Sequence, residues 1–289
     1  MGPHAGNDEH LPFAVEIRGE GDPLVLVHGS ASDARTWRSQ RQPFAERFRV
    51  ITYSRRYHWP NPSVPAGSVY SMAEQVADLE AVLATQVDGP AHLVGHSYGA
   101  VLCLLAALRR PDRVRTLVLE EPPAFTLFVS DPPKPLEVLR LLVTRPRTGV
   151  ALARFGAGGL APAVRALERG EIDRGIRTFG DTVFGAGGYE RLSAAQKQQV
   201  SDNRDTTVAE LLGPGFLPIP PEQLQTLAVP TLLMGGSDSI PLLSRILDRL
   251  QGLLPDVTRQ TFTGANHLVH EDKAADYNEA VLSFLAARG

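Results

Sequence analysis

Sulfur chemistry is nearly absent from this chain: it has one cysteine, Cys103, so no internal disulfide can form. Cys103 lies in the apolar run Val101 to Leu108 and reads as a small core residue. An excess of one charge is missing too. The 29 Lys and Arg face 32 Asp and Glu, a formal net charge of −3, which gives no pull toward nucleic acid or an acidic membrane surface. Nowhere do the roughly 18 consecutive apolar residues of a membrane span occur, and residues 1–10 have neither a basic start nor an apolar stretch. Repeats of fixed period and low-complexity tracts are lacking. These absences lead us to expect a cytoplasmic monomer or homodimer with a flexible tail over 1–10. Its expected partner is a small-molecule substrate, with no nucleic acid and no membrane.

What is present is an ordinary globular composition, 43% hydrophobic and 21% charged over 289 residues, enough for one large α/β domain with an insertion. The stretch that organises it is Leu93-Val94-Gly95-His96-Ser97-Tyr98-Gly99-Ala100. An apolar run leads into a serine flanked by glycines, and an apolar helix follows. A serine mounted on so sharp a turn stands clear of the backbone, and the crowding around it reduces neighbouring side chains to hydrogen. The helix that starts there aims its first N–H groups at any oxyanion forming beside the serine. As a bare pattern, glycines at this spacing also punctuate ordinary strand-turn-helix units.

The surrounding pattern alternates strand and helix. Phe13, Val15 and Ile17 suit an edge strand with one buried face, and Leu24 to Val27, apolar on both faces, a central parallel strand. That strand runs into His28-Gly29-Ser30, where the glycine lets the backbone fold across the sheet edge and frees the Ser30 N–H for a ligand. Val50 to Tyr53 is another strand, followed by Ser54-Arg55-Arg56-Tyr57-His58, read as a surface loop for Arg55 and Arg56, with pocket lining the alternative. Ser71 and Glu74 cap a helix that carries Met72, Val76, Leu79 and Leu83 inward. Val114 to Leu119 is the next strand, closing on Glu120-Glu121.

From 122 to 224 the rhythm stops. Proline clusters bracket helical segments at Leu136–Thr144, Ala161–Arg169 and Ile172–Phe184, and the pairs Gly158-Gly159 and Gly187-Gly188 break them. We read 122–224 as a helical lid inserted into a core of 11–121 and 225–289. Phe125, Phe128, Phe155, Phe179, Phe184 and Phe216 suggest an apolar chamber there, although most of them are expected to serve packing within the lid. The sheet resumes at Thr231, and Asp238 and His267 each follow an apolar strand. Ser97, Asp238 and His267 thus share one carboxyl edge in the chain order Ser, acid, His that this scaffold requires of nucleophile, orienting carboxylate and base.

These features resemble the α/β-hydrolase superfamily over nearly the whole chain: His28-Gly29 followed by Trp37, the serine elbow, the Gly-x-x-Asp ending in Asp238 and the Gly-x-x-His ending in His267. The resemblance implies an α/β-hydrolase fold with a helical cap and an oxyanion hole made by the N–H groups of Ser30 and Tyr98. It implies no cofactor and no metal. Relatives that draw their acid from the strand after the nucleophile helix make Glu121, 24 residues past Ser97, the alternative to Asp238, which is preferred for its more familiar motif. Where relatives carry an Asp-x-Arg-Gly-x-Gly-like run, this chain departs from them at Tyr53 to His58. The expected activity is serine-dependent cleavage of an ester, thioester or lactone of a small, largely apolar molecule. Two alternatives stand beside it: carbon–carbon bond hydrolysis, hydroxynitrile lysis or natural-product tailoring on the same triad, and a non-catalytic small-molecule receptor.

Overall fold

The computed structural model describes residues 11–65 and 67–288, so the tail expected over 1–10 lies outside the described residues. Seven strands form one sheet: β1 (Val15–Arg18), β2 (Pro23–Val27), β3 (Arg49–Tyr53), β4 (Ala91–His96), β5 (Val114–Glu120), β6 (Thr231–Gly236) and β7 (Val257–Phe262). Their spatial order is β1-β3-β2-β4-β5-β6-β7, and every pairing is parallel except that of β1 with β3. Parallel strands end on the same side, so the segments after β2, β4, β5, β6 and β7 share one rim, where open α/β sheets bind ligands.

The core lies on both faces of this sheet. Along β2, Leu24 and Leu26 join one apolar layer with Trp37, Phe44 and Tyr277, while Val25 and Val27 point into the other. Helix α1 (Met72–Gln86) starts where its cap predicts, Ser71 Oγ accepting the Glu74 N–H, and buries Met72, Val76, Leu79 and Leu83. Helix α2 (Tyr98–Arg109) is buried almost throughout, with Cys103 fully enclosed. At the sheet edge the expectation for Ile17 fails: it is 39% exposed, because β1 has a neighbour on one side only and its outer residues run out to solvent.

Between β5 and β6 the chain is helical: α3 (Pro135–Thr144), α4 (Pro146–Phe155), α5 (Ala161–Glu168), α6 (Ile172–Phe184), α7 (Ala194–Asp202) and α8 (Arg204–Leu211), with a short helix Pro221–Thr226 before β6. The pair Gly158-Gly159 does not break this run. Gly156–Leu160 forms a π-helical turn that carries α4 into α5. Gly159 is needed there, since a Cβ would collide with Thr182 of α6. Two further helices, α9 (Pro241–Gln251) and α10 (Ala274–Ala286), complete the core layers.

A buried carboxylate ties the insertion to the core. Asp33 has no exposed surface, and it accepts from Arg35 Nη2 at 2.7 Å, Asn203 Nδ2 at 2.7 Å and Gln199 Nε2 at 3.1 Å. Burial alone pushes its pKa up, but the Arg35 and Asn203 bonds override this and leave it lowered. Arg35 continues to Asp202, and the Trp59 N–H to Asn203, so α7 and the start of α8 are fastened to the loops after β2 and β3.

Several histidines are folded in neutral. Burial, with Arg55 adding to it, lowers His28 to about 3, and burial with Arg115 lowers His92 to about 4. An unfolded chain protonates histidine below about 6.5. The unfolded state therefore binds more protons than the folded one from there down to those folded values, and stability falls with pH over that window. The midpoint of urea unfolding is expected to drop as pH is lowered from about 6.5 to about 4. His92→Leu should make that slope shallower, whatever its effect on the midpoint at neutral pH; an unchanged slope would refute the assignment.

Candidate active site

Ser97 sits at the turn between β4 and α2 with φ 51° and ψ −121°, a strained conformation for a residue with a side chain. Close packing holds it there. A Cβ on Gly95 would lie 2.6 Å from the Ala100 Cα, and one on Gly99 would overlap the carbonyl oxygens of Val27 and His28. The Ser97 N–H donates to Glu120 O at 2.8 Å, which pins the turn to β5.

The Tyr98 N–H begins a helix and has no intrahelical acceptor; among the described residues neither it nor the Ser30 N–H donates to protein. The Ser30 amide is aimed by its own peptide plane. The Gly29 carbonyl accepts from His28 Nδ1 and from Arg55 Nη2, both at 2.9 Å, so the N–H on the opposite side of that plane turns away from Arg55. Ser30 and Ser97 both line the two cavities of the rim.

Arg55 corrects the surface-loop reading of the segment after β3. Its guanidinium is 1% exposed, 4.6 Å from the centre of the Tyr98 ring, and bonded to Tyr70 Oη and Glu210 as well as to Gly29. Burial opposes its charge, but Tyr70 and Glu210 outweigh that and its pKa is raised. His58 is also fully buried, with Nδ1 on Ser32 O at 2.7 Å. Arg56 remains nearer the surface, paired with Glu74 and Asp78 of α1. A run of arginines and aromatics carries no periodicity, so its inward turn was beyond what hydrophobic pattern reveals.

His267 follows β7 and is 3% exposed. Its Nδ1 meets Glu121 Oε2 at 2.7 Å, and the other oxygen of Glu121 accepts the Gly236 N–H at 2.8 Å. The preference for Asp238 is therefore corrected. Asp238 is exposed, accepts from Ser237 Oγ at 2.8 Å, and is held in that turn by its own N–H bond to Ala265 O. Glu121 reaches the histidine because its backbone has φ 45° and because the facing residue is Gly235, where a Cβ would stand 3.1 Å from Oε1. With Nδ1 on the carboxylate, Nε2 is left for the cavity. Ser97 Oγ and His267 line the same two cavities and are not hydrogen-bonded to each other in this structure. Such bonds are often long without substrate and tighten in the reacting complex.

A second pair stands alongside. His270 Nδ1 meets Glu120 Oε2 at 2.9 Å and its Nε2 meets Thr36 Oγ1 at 2.7 Å, while Thr36 donates to Glu271 at 2.9 Å. A hydroxyl has one proton to give, so Thr36 accepts from His270 and both ring nitrogens carry hydrogen. Burial disfavours that cation, yet Glu120 outweighs it and raises the His270 pKa. His96, Glu120 and His270 lie near enough for a cation, but His270 has no lone pair to give because both its nitrogens donate, and His96, whose Nε2–H donates to His267 O at 3.0 Å, keeps a single free nitrogen, Nδ1.

Two spaces open beside Ser97. The larger, about 410 Å³, is walled by apolar side chains that include Phe125, Phe155, Phe179 and Phe216, with Asp131 and Glu210 as the acids among its described lining. The narrower, about 70 Å³, lies toward Phe179, Phe184, Gln196 and Glu271. Five of the six phenylalanines thus face these spaces instead of packing only among themselves, while Phe128 lines a separate groove.

Comparison with known proteins bears on the family and the fold. An sn-1-specific diacylglycerol lipase of Mus musculus is 29% identical over 283 residues, 96% of this chain and 86% of that protein. Among solved structures, MenH from S. aureus superposes with a TM-score of 0.73 at 18% identity, covering 96% of this chain and 98% of that one. The carboxylesterase CesB from Bacillus subtilis does so at 0.68 and 20%, covering 94% and 87%. At those identities the two structures speak for the fold alone. Residues 24–280 match the model of the alpha/beta hydrolase family, and to that family this chain belongs.

Proposed function

We propose that the protein is a cofactor-free serine hydrolase that cleaves a carboxylic ester or lactone of a small, mostly apolar and uncharged molecule. The observation that carries this reading is the His267–Glu121 bond at 2.7 Å beside a serine held at positive φ, both on one cavity. In this reading His267 Nε2 takes the proton of Ser97 as Oγ attacks the carbonyl carbon, and Glu121 stabilises the imidazolium that forms. The Ser30 and Tyr98 amides receive the oxyanion. His267 returns its proton to the leaving alcohol, and water then releases the acyl group by the same steps. The lipase relative, by its name an ester-cleaving enzyme, favours esters over carbon–carbon chemistry.

The walls favour a neutral substrate. Asp131 and Glu210 line the chamber, no Lys or Arg among its described residues does, and the charge of Arg55 behind the wall is already taken by Glu210. Burial moreover pushes the Asp131 carboxyl up, a sign of poor solvation for any anion placed beside it.

Three outcomes test this. Ser97→Ala should lower kcat on an aryl ester by at least about a thousandfold, and a fluorophosphonate should label the wild type and not the variant. Glu121→Gln should cost about 10²- to 10⁴-fold, while Asp238→Asn leaves the rate essentially unchanged; the reverse ranking would restore the other acid. An ester whose acyl chain ends in a carboxylate should be cleaved with kcat/KM at least about tenfold below its neutral isostere, and Glu210→Gln should narrow that gap.

A further inference from the structure

The insertion carries a surface that the hydrolytic site does not use. On α3, Leu136, Leu139 and Val143 are 76%, 58% and 75% exposed, and Val150 of α4 is 43% exposed. The α3 residues recur at three- and four-residue spacing, so they form one stripe on the helix face opposite buried Leu141. Four arginines share these two helices and the turn between them: Arg140, Arg145, Arg147 and Arg154, all exposed. None of the four forms an ion pair among the described residues. Arg140 falls on the same side of α3 as Leu136 and Val143, and Arg147 and Arg154 flank Val150 along α4. Between 135 and 155 Glu137 is the only acid, and it is engaged by Ser130, so this hairpin is strongly basic in a chain of net charge −3.

We infer that the α3–α4 hairpin docks on an anionic lipid bilayer, its leucines and valines entering the headgroup boundary and its arginines binding the acidic headgroups. Apolar residues next to unpaired arginines are the chemistry of a helix lying in a membrane interface. A second copy of the chain is a poor occupant, because four unpaired arginines would then face four more. The hairpin is tight enough to act as a unit: α3 and α4 cross so closely at Gly149 that a Cβ there would lie 2.9 Å from the Leu142 Cα. Its inner end also walls the chamber, through Phe155. The inference concerns binding and stands whether or not the serine chemistry above is right.

The test is flotation of the full chain with phosphatidylcholine vesicles, with and without phosphatidylglycerol, at low and high salt. Binding should require phosphatidylglycerol and weaken with salt. Leu139→Asp with Val143→Asp should reduce it at least about tenfold, and each arginine changed to glutamine by about fivefold. Both sets of variants should keep the circular dichroism and melting of the wild type, since every altered side chain is exposed. No dependence on phosphatidylglycerol, or equal binding by the aspartate variant, would overturn the inference. So would light scattering that shows a dimer abolished by those aspartates without any vesicle binding.

Discussion

Glu120 ends β5 and Glu121 follows it, and each meets a histidine of the segment after β7, His270 and His267 respectively. All four side chains are buried, and a buried carboxylate without a partner costs several kcal/mol. Each histidine thus meets the need of its own carboxylate, and together the two pairs hold the loop between β7 and α10 against the sheet. Once that loop is fixed, the Asn266 side chain bonds its neighbour's N–H, His96 is held by His267 O, and the imidazole faces the cavity in a single orientation. The chain beyond β7 is therefore positioned by two adjacent residues more than 140 positions earlier, and the outer pair acts as a brace for the inner one.

Much of this was legible in the sequence because it depends on local rules. The serine turn needed glycine on both sides, β2 read as an apolar run on both faces, and α1 announced itself by Ser71 and Glu74. The identity of the acid was not legible in the same way. Both candidates end a strand at the same rim, and the choice turns on a single positive φ at Glu121 and on the space over Gly235, neither of which has a sequence pattern. Arg55 was hidden for a similar reason: a guanidinium is buried only where several acceptors converge, and its acceptors come from residues 29, 70 and 210.

The insertion was visible as an interruption, and its inner face as a set of phenylalanines. Its outer face was not, because the near cancellation of charge across 122–224 conceals an uneven distribution in which residues 135–155 carry four arginines against one acid. Folding separates what the composition averages and leaves the insertion with an apolar wall within and a basic, partly apolar surface without.

The Asp33 network makes the roof of the chamber mechanically unequal. Residues 194–211 are bolted to the strands' loops by directional bonds to a carboxylate that has no water to turn to, whereas no hydrogen bond among the described residues joins Pro135–Glu168 to the core. Contacts of the latter kind, such as those of α4 with α9, tolerate sliding, since dispersion has no preferred angle. Pro135–Glu168 can therefore shift against the core without breaking a directional bond, and residues 194–211 cannot.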